Sequence, residues 1–325
     1  MCLYSAFSAL CGLQATLVVA ENTTWPWQTF KSSAHEPPNL KILGSIDSSS
    51  FVSWIDMHEN TMASDGTMLV TGYNVTQTDL SSVGGPKNGW IADSLFYEID
   101  VNTNEILFRW SALEHVDQIP LKVVQPFYPI RDWGHSSSSP YGYFHINSVD
   151  KFQDGTYISS SRYYCSLDTS GKFKLLQGQT GGDFALNGIK FSYQHDACIH
   201  DETHDAFVLS IFDNSNSDVQ NGTDHTEGIL MNVNLATREV SLLQTLHDQR
   251  DEIFSTSQGN IQLLPTDHVL MGYESNPKIH EYNTNGTCVM IAQFGFDDIV
   301  ASYRAYRFPW VGVPDTLPDV FSCID

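Results

Sequence analysis

Positive charge is scarce in this chain. Lys and Arg number 16 against 38 Asp and Glu in 325 residues, a formal net charge of −22. That balance argues against nucleic acid and anionic membrane surfaces as partners. Phosphate-handling signatures are missing too: there is no Gly-rich phosphate loop, no Walker motif and no GxSxG elbow, and Gly181-Gly182 reads as a turn. No CxxC or Cys/His zinc spacing occurs, and no cofactor is expected. Zinc or iron on His58, His145 and His195 with Asp196 or Glu59 is conceivable but disfavoured, because these histidines lack the local i, i+2 or i, i+4 pairs common in metal sites. Past the first twenty residues no apolar run is long enough to span a bilayer. Long helical periodicity is absent as well.

What is present points outward from the cell. Residues 1–20 carry no charge, include an apolar run over 10–20 and end in small residues before Glu21. They read as a signal peptide, although the usual basic start is missing. Residues 21–325 are then expected to form one secreted domain. Four glycosylation sequons begin at Asn22, Asn74, Asn221 and Asn285, each near turn-forming residues. Outside the leader, Cys165, Cys198, Cys288 and Cys323 allow up to two disulfides in an oxidising compartment, or buried free thiols.

The strongest pattern is a repeat. Met57-His58-Glu59 precedes Asp65-Gly66 and the β-rich Thr67-Met68-Leu69-Val70. His145-Ile146-Asn147 precedes Asp154-Gly155 and Thr156-Tyr157-Ile158-Ser159, and His195-Asp196-Ala197 precedes His204-Asp205 and Ala206-Phe207-Val208-Leu209. A fourth copy, Ser257-Gln258-Gly259-Asn260 before Thr266-Asp267, has lost its histidine. Each inner hairpin is followed by a second one, such as Leu95-Phe96-Tyr97-Glu98 running through Asn102 to Asn104 into Ile106-Leu107-Phe108. Alternating apolar and polar residues around Asn, Asp and Gly turns are antiparallel hairpins. Two hairpins make one four-stranded blade, and a fixed phase marks a radial repeat. The expectation is an all-β, six-bladed β-propeller with a central channel. Four units are legible, and residues 40–54 and 294–313 are expected to supply the remaining strands. Residues 84–89 and 133–142, with His135, are expected at the rim.

Equivalent positions of a radial repeat face a common axis, so His58, His145 and His195 are expected to converge. Imidazole can act as nucleophile or general base near neutral pH. His195 is the leading candidate because Gln194 and Asp196 flank it, with His58 and His145 orienting substrate. Neighbours on a regular strand point to opposite faces, however, so Asp196 need not reach the ring. Arg304 and Arg162 could hold an anionic oxygen, or each could pair with acidic groups such as Asp213 or Glu59. Tyr303 is assigned to substrate binding. Tyr73, Trp90, Phe144, Tyr193 and Trp310 could line a pocket for a flat ring or pack between blades. His200, His204, His225, His247, His268 and His280 are placed in solvated outer or turn positions.

The ordered set Met57-His58-Glu59, Val83-Gly84-Gly85, Phe144-His145-Ile146-Asn147-Ser148-Val149-Asp150, Gln194-His195-Asp196-Ala197, Leu209-Ser210-Ile211-Phe212-Asp213-Asn214 and Ser302-Tyr303-Arg304-Ala305 resembles the fungal branch of the arylsulfotransferase (ASST-like) family. The likeness spans roughly residues 50–314. It implies a six-bladed propeller and sulfuryl transfer between phenols through a histidine, without a nucleotide sulfate donor. Some members serve secondary-metabolite pathways, where such a propeller can act as a cyclase. The reading is therefore a secreted enzyme acting on a small phenolic or aromatic substrate. A cyclase or other tailoring enzyme and a non-catalytic binding module stand as alternatives, with the oligomeric state open.

Overall fold

The computed structural model describes residues 54–124, 129–161, 165–169, 172–177, 182–215, 223–274, 276–297 and 299–308. Side chains are described throughout these except at residues 54, 123–124 and 165–177. The described chain is almost free of helix and folds into four antiparallel, four-stranded sheets, each a simple meander in sequence order.

Sheet 1 contains β1 (Trp54–Met62), β2 (Thr67–Thr78), β3 (Gly89–Asp100) and β4 (Ile106–Ser111). Sheet 2 contains β5 (Ile146–Lys151), β6 (Tyr157–Ser161), β7 (Cys165–Thr169) and β8 (Lys172–Gln177). Sheet 3 contains β9 (His195–His200), β10 (Ala206–Asp213), β11 (Glu227–Asn234) and β12 (Glu239–Leu246). Sheet 4 contains β13 (Asn260–Leu263), β14 (Val269–Tyr273), β15 (Lys278–Tyr282) and β16 (Cys288–Gln293). Every hairpin falls where the alternation placed it, because each turn carries residues suited to a tight reversal. Gly66, Gly155 and Asp267 take positive φ there.

The first strands of successive sheets adjoin: β1 meets β5, β5 meets β9, and β9 meets β13. The apolar core is split accordingly. Leu69, Phe96 and Trp110 pack with Ile146, Val149 and Tyr157 between sheets 1 and 2. Ile158 packs with Phe207, Leu209 and Ile211 between sheets 2 and 3. Phe212, Leu230 and Leu246 pack with Ile261, Met271 and Tyr273 between sheets 3 and 4. Burying each such side chain contributes about 1.5–3 kcal/mol, so the stability of this propeller-like fold lies mainly between sheets rather than within them.

Three departures from the sequence reading matter. The four sheets are all that the described residues form, and residues 40–53 and 309–313 lie outside them. Residues 294–308, expected as strands, form none among their described residues; Arg304, Ala305 and Arg307 meet the inner strands instead. Ala305 exchanges two hydrogen bonds with the Asn260 amide, and Arg307 two with the Gln262 amide. Side-chain amides thus do the work of a strand partner, which alternation does not reveal. The 133–142 segment lies along β3, where Trp90 and Ala92 bond Gly134 and Tyr141.

Of the two cysteine alternatives, the described thiols take the free one. Cys198 and Cys288 are free thiols. One stands on the first strand of sheet 3 and the other on the last strand of sheet 4, too far apart in the topology to be bridged. The Cys165 side chain and Cys323 lie outside the described residues.

Candidate functional site

Among the first strands of the four sheets, a bulge marks the three that carry or directly follow a repeat histidine. On β1 the pairing jumps from Ile55↔Gly72 to Asn60↔Val70, so Asp56, Met57, His58 and Glu59 stand opposite Thr71 alone. On β5, Asn147 is extra between Ile146↔Ser161 and Ser148↔Ser160, two residues past His145. On β9, Asp196 and Ala197 stand opposite Ile211. In sheet 4, which lacks the histidine, β13 pairs with β14 without interruption. A bulge breaks the up-down alternation and re-aims side chains, and here it brings the imidazoles together. The His58 ring lies 4.4 Å from that of His145 and 6.2 Å from that of His195, centroid to centroid.

The His58–His145 pair forms a polar chain. Asp56 Oδ2 lies 2.6 Å from His58 Nδ1, the two Nε2 atoms are 3.0 Å apart, and Tyr73 Oη lies 2.6 Å from His145 Nδ1. A carboxylate only accepts, so a neutral His58 carries its proton on Nδ1 and keeps a lone pair on Nε2. His145 must then donate Nε2–H to it, and Tyr73 O–H donates to His145 Nδ1. One orientation of protons satisfies the whole chain.

His195 is held differently. Asn214 Nδ2 donates to the carbonyls of Ser255 and Gln258, which turns its Oδ1 toward His195 Nδ1 at 2.8 Å. His195 Nε2 in turn accepts the Gln258 N–H at 3.2 Å. Gln258 and Gly259 both take positive φ to present that amide, and a Cβ at Gly259 would sit 2.3 Å from the Phe212 ring. The fourth repeat thus uses Gln-Gly where the others use histidine, and its backbone caps the third histidine. Asp196, the expected partner, takes φ of 53° in the bulge and accepts the Ile261 N–H.

Arg304 lies beneath this group, buried. Its guanidinium meets both Glu59 oxygens at 3.1 and 3.3 Å, Asp196 Oδ1 at 3.5 Å, and the carbonyls of His58 at 3.0 Å and Asn147 at 3.5 Å. Burial opposes its charge, but Glu59 and Asp196 outweigh that and hold its pKa well above the ordinary guanidinium range. Burial raises Asp196 to about 6 although Arg304 opposes the shift. Tyr303 packs edge-on to His58 at 5.9 Å, and its buried hydroxyl has no hydrogen-bond partner among the described residues. Burial drives that hydroxyl's pKa well above the usual phenol range. Arg162 and Trp310 lie outside the described residues.

Sequence reasoning missed Asp56, Tyr73 as a histidine partner, and Asn214 in its role. Asp56 had a usable signal, since a spacing of two from His58 favours one face. The outer histidines also need correction. His280 is fully buried between Asp251 and Tyr282, and burial lowers its pKa. His268 pairs with Glu281 and His200 with Ser210. Only His204 of that set is almost wholly exposed.

Residues 29–295 match the family model described as Arylsulfotransferase (ASST). No curated protein matches. Among solved structures the chain is similar to a protein of unknown function from Bacteroides caccae, at 10% identity and a TM-score of 0.42, over 77% of this chain and 73% of that one. It is also similar to an apocarotenoid oxygenase from Synechocystis at 11% identity and a TM-score of 0.39, over 74% of this chain and 50% of that one. The Dos1 propeller is similar at 8% identity and a TM-score of 0.32, over 74% of this chain and 62% of that one.

Two outcomes follow from these electrostatics. Arg304→Met strands two buried carboxylates and should cost about 3–5 kcal/mol in urea unfolding, with part regained in Arg304→Met/Glu59→Gln. An unchanged midpoint would show that the ion pairs do not hold the strands. Burial also raises Glu274 to about 7. Groups with raised folded pKa values stabilise below their unfolded values and lose that contribution as pH rises through the folded ones. Lys151 and Thr67 hold Asp65 at about 2, so its contribution disappears only in stronger acid. The melting temperature should therefore be higher at about pH 5 than at about pH 8, and Glu274→Gln should flatten the difference.

Proposed function

The chain belongs to the arylsulfotransferase (ASST) family, and on that premise we propose that it transfers a sulfuryl group between phenolic small molecules, with His58 as nucleophile. Family membership supports an arylsulfotransferase-like activity, and the Asp56–His58–His145–Tyr73 chain carries the residue assignment. Asp56 fixes the His58 tautomer, leaving Nε2 as the reactive lone pair. That lone pair bonds to the sulfur of an aryl sulfate as the bond from sulfur to the aryl oxygen breaks. The bonding electrons leave on the aryl oxygen, which takes over the hydrogen bond from His145 Nε2–H. Asp56 offsets the positive charge on the modified ring. A phenoxide acceptor then attacks the sulfur, the N–S bond breaks, and His58 recovers its lone pair.

In this reading His195 supports rather than reacts, because its Nδ1 meets the neutral amide oxygen of Asn214 where His58 has the Asp56 carboxylate to offset charge on the ring. Tyr303, edge-on to His58, offers a ring face and a hydroxyl to the aromatic substrate. Arg304 holds the strands that carry the histidines, and Arg162 is the remaining candidate for the sulfuryl oxygens. We read the four sheets as blades of a six-bladed, secreted propeller whose other strands come from outside the described residues. Its acidic surface disfavours nucleic acid and anionic membranes.

A second reading, cyclisation or other tailoring of an aromatic natural product, is favoured by one observation. The Arg304 charge is already matched by Glu59 and Asp196, which suits a neutral phenol better than a sulfate.

Turnover of an aryl sulfate donor with a phenol acceptor should fall about 10³-fold or more in His58→Ala and about 10²–10⁴-fold in His145→Gln, with a smaller loss in His195→Asn. Undiminished turnover in His58→Ala removes it as nucleophile. Binding of a neutral phenol without turnover of any donor favours the second reading. Secretion has its own test. Asn285 is exposed in the β15–β16 turn, whereas Asn74 is half-buried within β2 rather than in a turn; Asn22 and Asn221 lie outside the described residues. Deglycosylation should lower the intact mass, and Asn285→Gln should remove one glycan. An unshifted mass defeats the assignment.

A further inference from the structure

Sheet 3 carries a second polar cluster, on its outer strands. His225 lies two residues before the start of β11, Glu227 opens that strand, and His247 immediately follows β12. Residues two apart on a strand share a face, which places His225 beside Glu227. The register pairs Gly228 with Leu246, so the next residues outward, Glu227 and His247, face each other across the two strands. The His225 and His247 rings stack with centroids 4.4 Å apart and planes at 28°. One ligand atom from each of the three residues lies within 4.8 Å of the other two.

We propose that His225, Glu227 and His247 bind one divalent transition-metal ion of the zinc class, with water completing its coordination. Two imidazoles and one carboxylate are a donor set that suits zinc and leaves a position open. Metal bonds of about 2.0–2.2 Å require the three atoms to draw closer than they stand. All three side chains are half-exposed, so rotamer adjustment can supply that movement. His225 Nδ1 lies 3.1 Å from Asp224 Oδ1. Donation of Nδ1–H to that carboxylate leaves Nε2 as the ligand atom and orients the ring, the usual arrangement around metal-bound histidine. Asp224 is therefore a positioning residue.

Location gives the site a relation to the axis. His195 opens β9, Phe212 pairs with it near the end of β10, and Asp213 pairs with Glu227 at the start of β11. The cluster thus occupies the same end of sheet 3 as His195. At about 4.8 Å per strand, it stands roughly 10–15 Å outward. A bound ion would also tie the open ends of β11 and β12 together.

The test uses the full chain, free of any histidine tag and stripped with chelator. Zn²⁺ or Co²⁺ should bind at one equivalent, with visible d–d absorption for Co²⁺, and should raise the melting temperature. Equal concentrations of Mg²⁺ or Ca²⁺ should not compete, since both prefer oxygen ligands. His247→Ala and Glu227→Gln should each weaken binding at least about 10-fold, and Asp224→Ala by less. Circular dichroism checks that each variant is folded, and Glu227→Gln is conservative enough to serve if His247→Ala is not. No saturable uptake at micromolar Zn²⁺, or uptake unchanged in Glu227→Gln, overturns the proposal. Metal uptake is read directly, so the outcome is independent of any sulfuryl-transfer assay.

Discussion

The arrangement of the inner strands depends on one buried guanidinium. Arg304 reaches Glu59 and the His58 carbonyl on β1, the Asn147 carbonyl on β5 and Asp196 on β9. Its planar fork of five donors can serve several acceptors at once, which the point charge of lysine cannot. Removing ions from water costs several kcal/mol each, so such a group is tolerable only with its partners in place. Neighbouring contacts extend the same seam. Asn260 and Gln262 hold the chain at Ala305 and Arg307, and Ser148, Asp150 and Asp196 accept backbone N–H groups from the next inner strand along. The histidines inherit their positions from this frame, because Arg304 binds the backbone of His58 and the side chain next to His195.

Within that frame the bulges divide the labour. A regular strand would send His58 and Glu59 to opposite faces, and His195 and Asp196 likewise. The extra residues let both members of each pair turn to one side, the carboxylates toward Arg304 and the imidazoles toward one another. The chemistry then separates by what each ring touches. His58 has a carboxylate on one nitrogen and a neighbouring imidazole on the other. His195 has an amide oxygen on one nitrogen and a backbone amide on the other. The first arrangement supports proton and charge movement, whereas the second fixes a ring in place.

Much of this was legible in the sequence. Period-two alternation and turn residues located the hairpins of all four sheets, and the common phase of His58, His145 and His195 predicted their convergence. Bulges were not legible, since an inserted residue leaves no mark on composition, and they decide that Asn214 rather than Asp196 holds His195. The end of the 294–308 segment was misread because Ala305 and Arg307 pair with the side-chain amides of Asn260 and Gln262 instead of a backbone ladder. His225 and His247 looked solvated because they lie 22 residues apart in sequence (225 to 247). Only the β11–β12 register brings them face to face.

The most direct measurement of the account is the tautomeric state of the axial histidines, read from long-range ¹H–¹⁵N correlation spectra of the ¹⁵N-histidine-labelled protein. His58 should carry its proton on Nδ1, His145 on Nε2 and His195 on Nδ1, and Arg304→Met should abolish the His58–His145 pattern where the fold survives. A His58 ring protonated on Nε2 with a bare Nδ1, or rings of His58 and His145 that exchange independently with solvent, would contradict it.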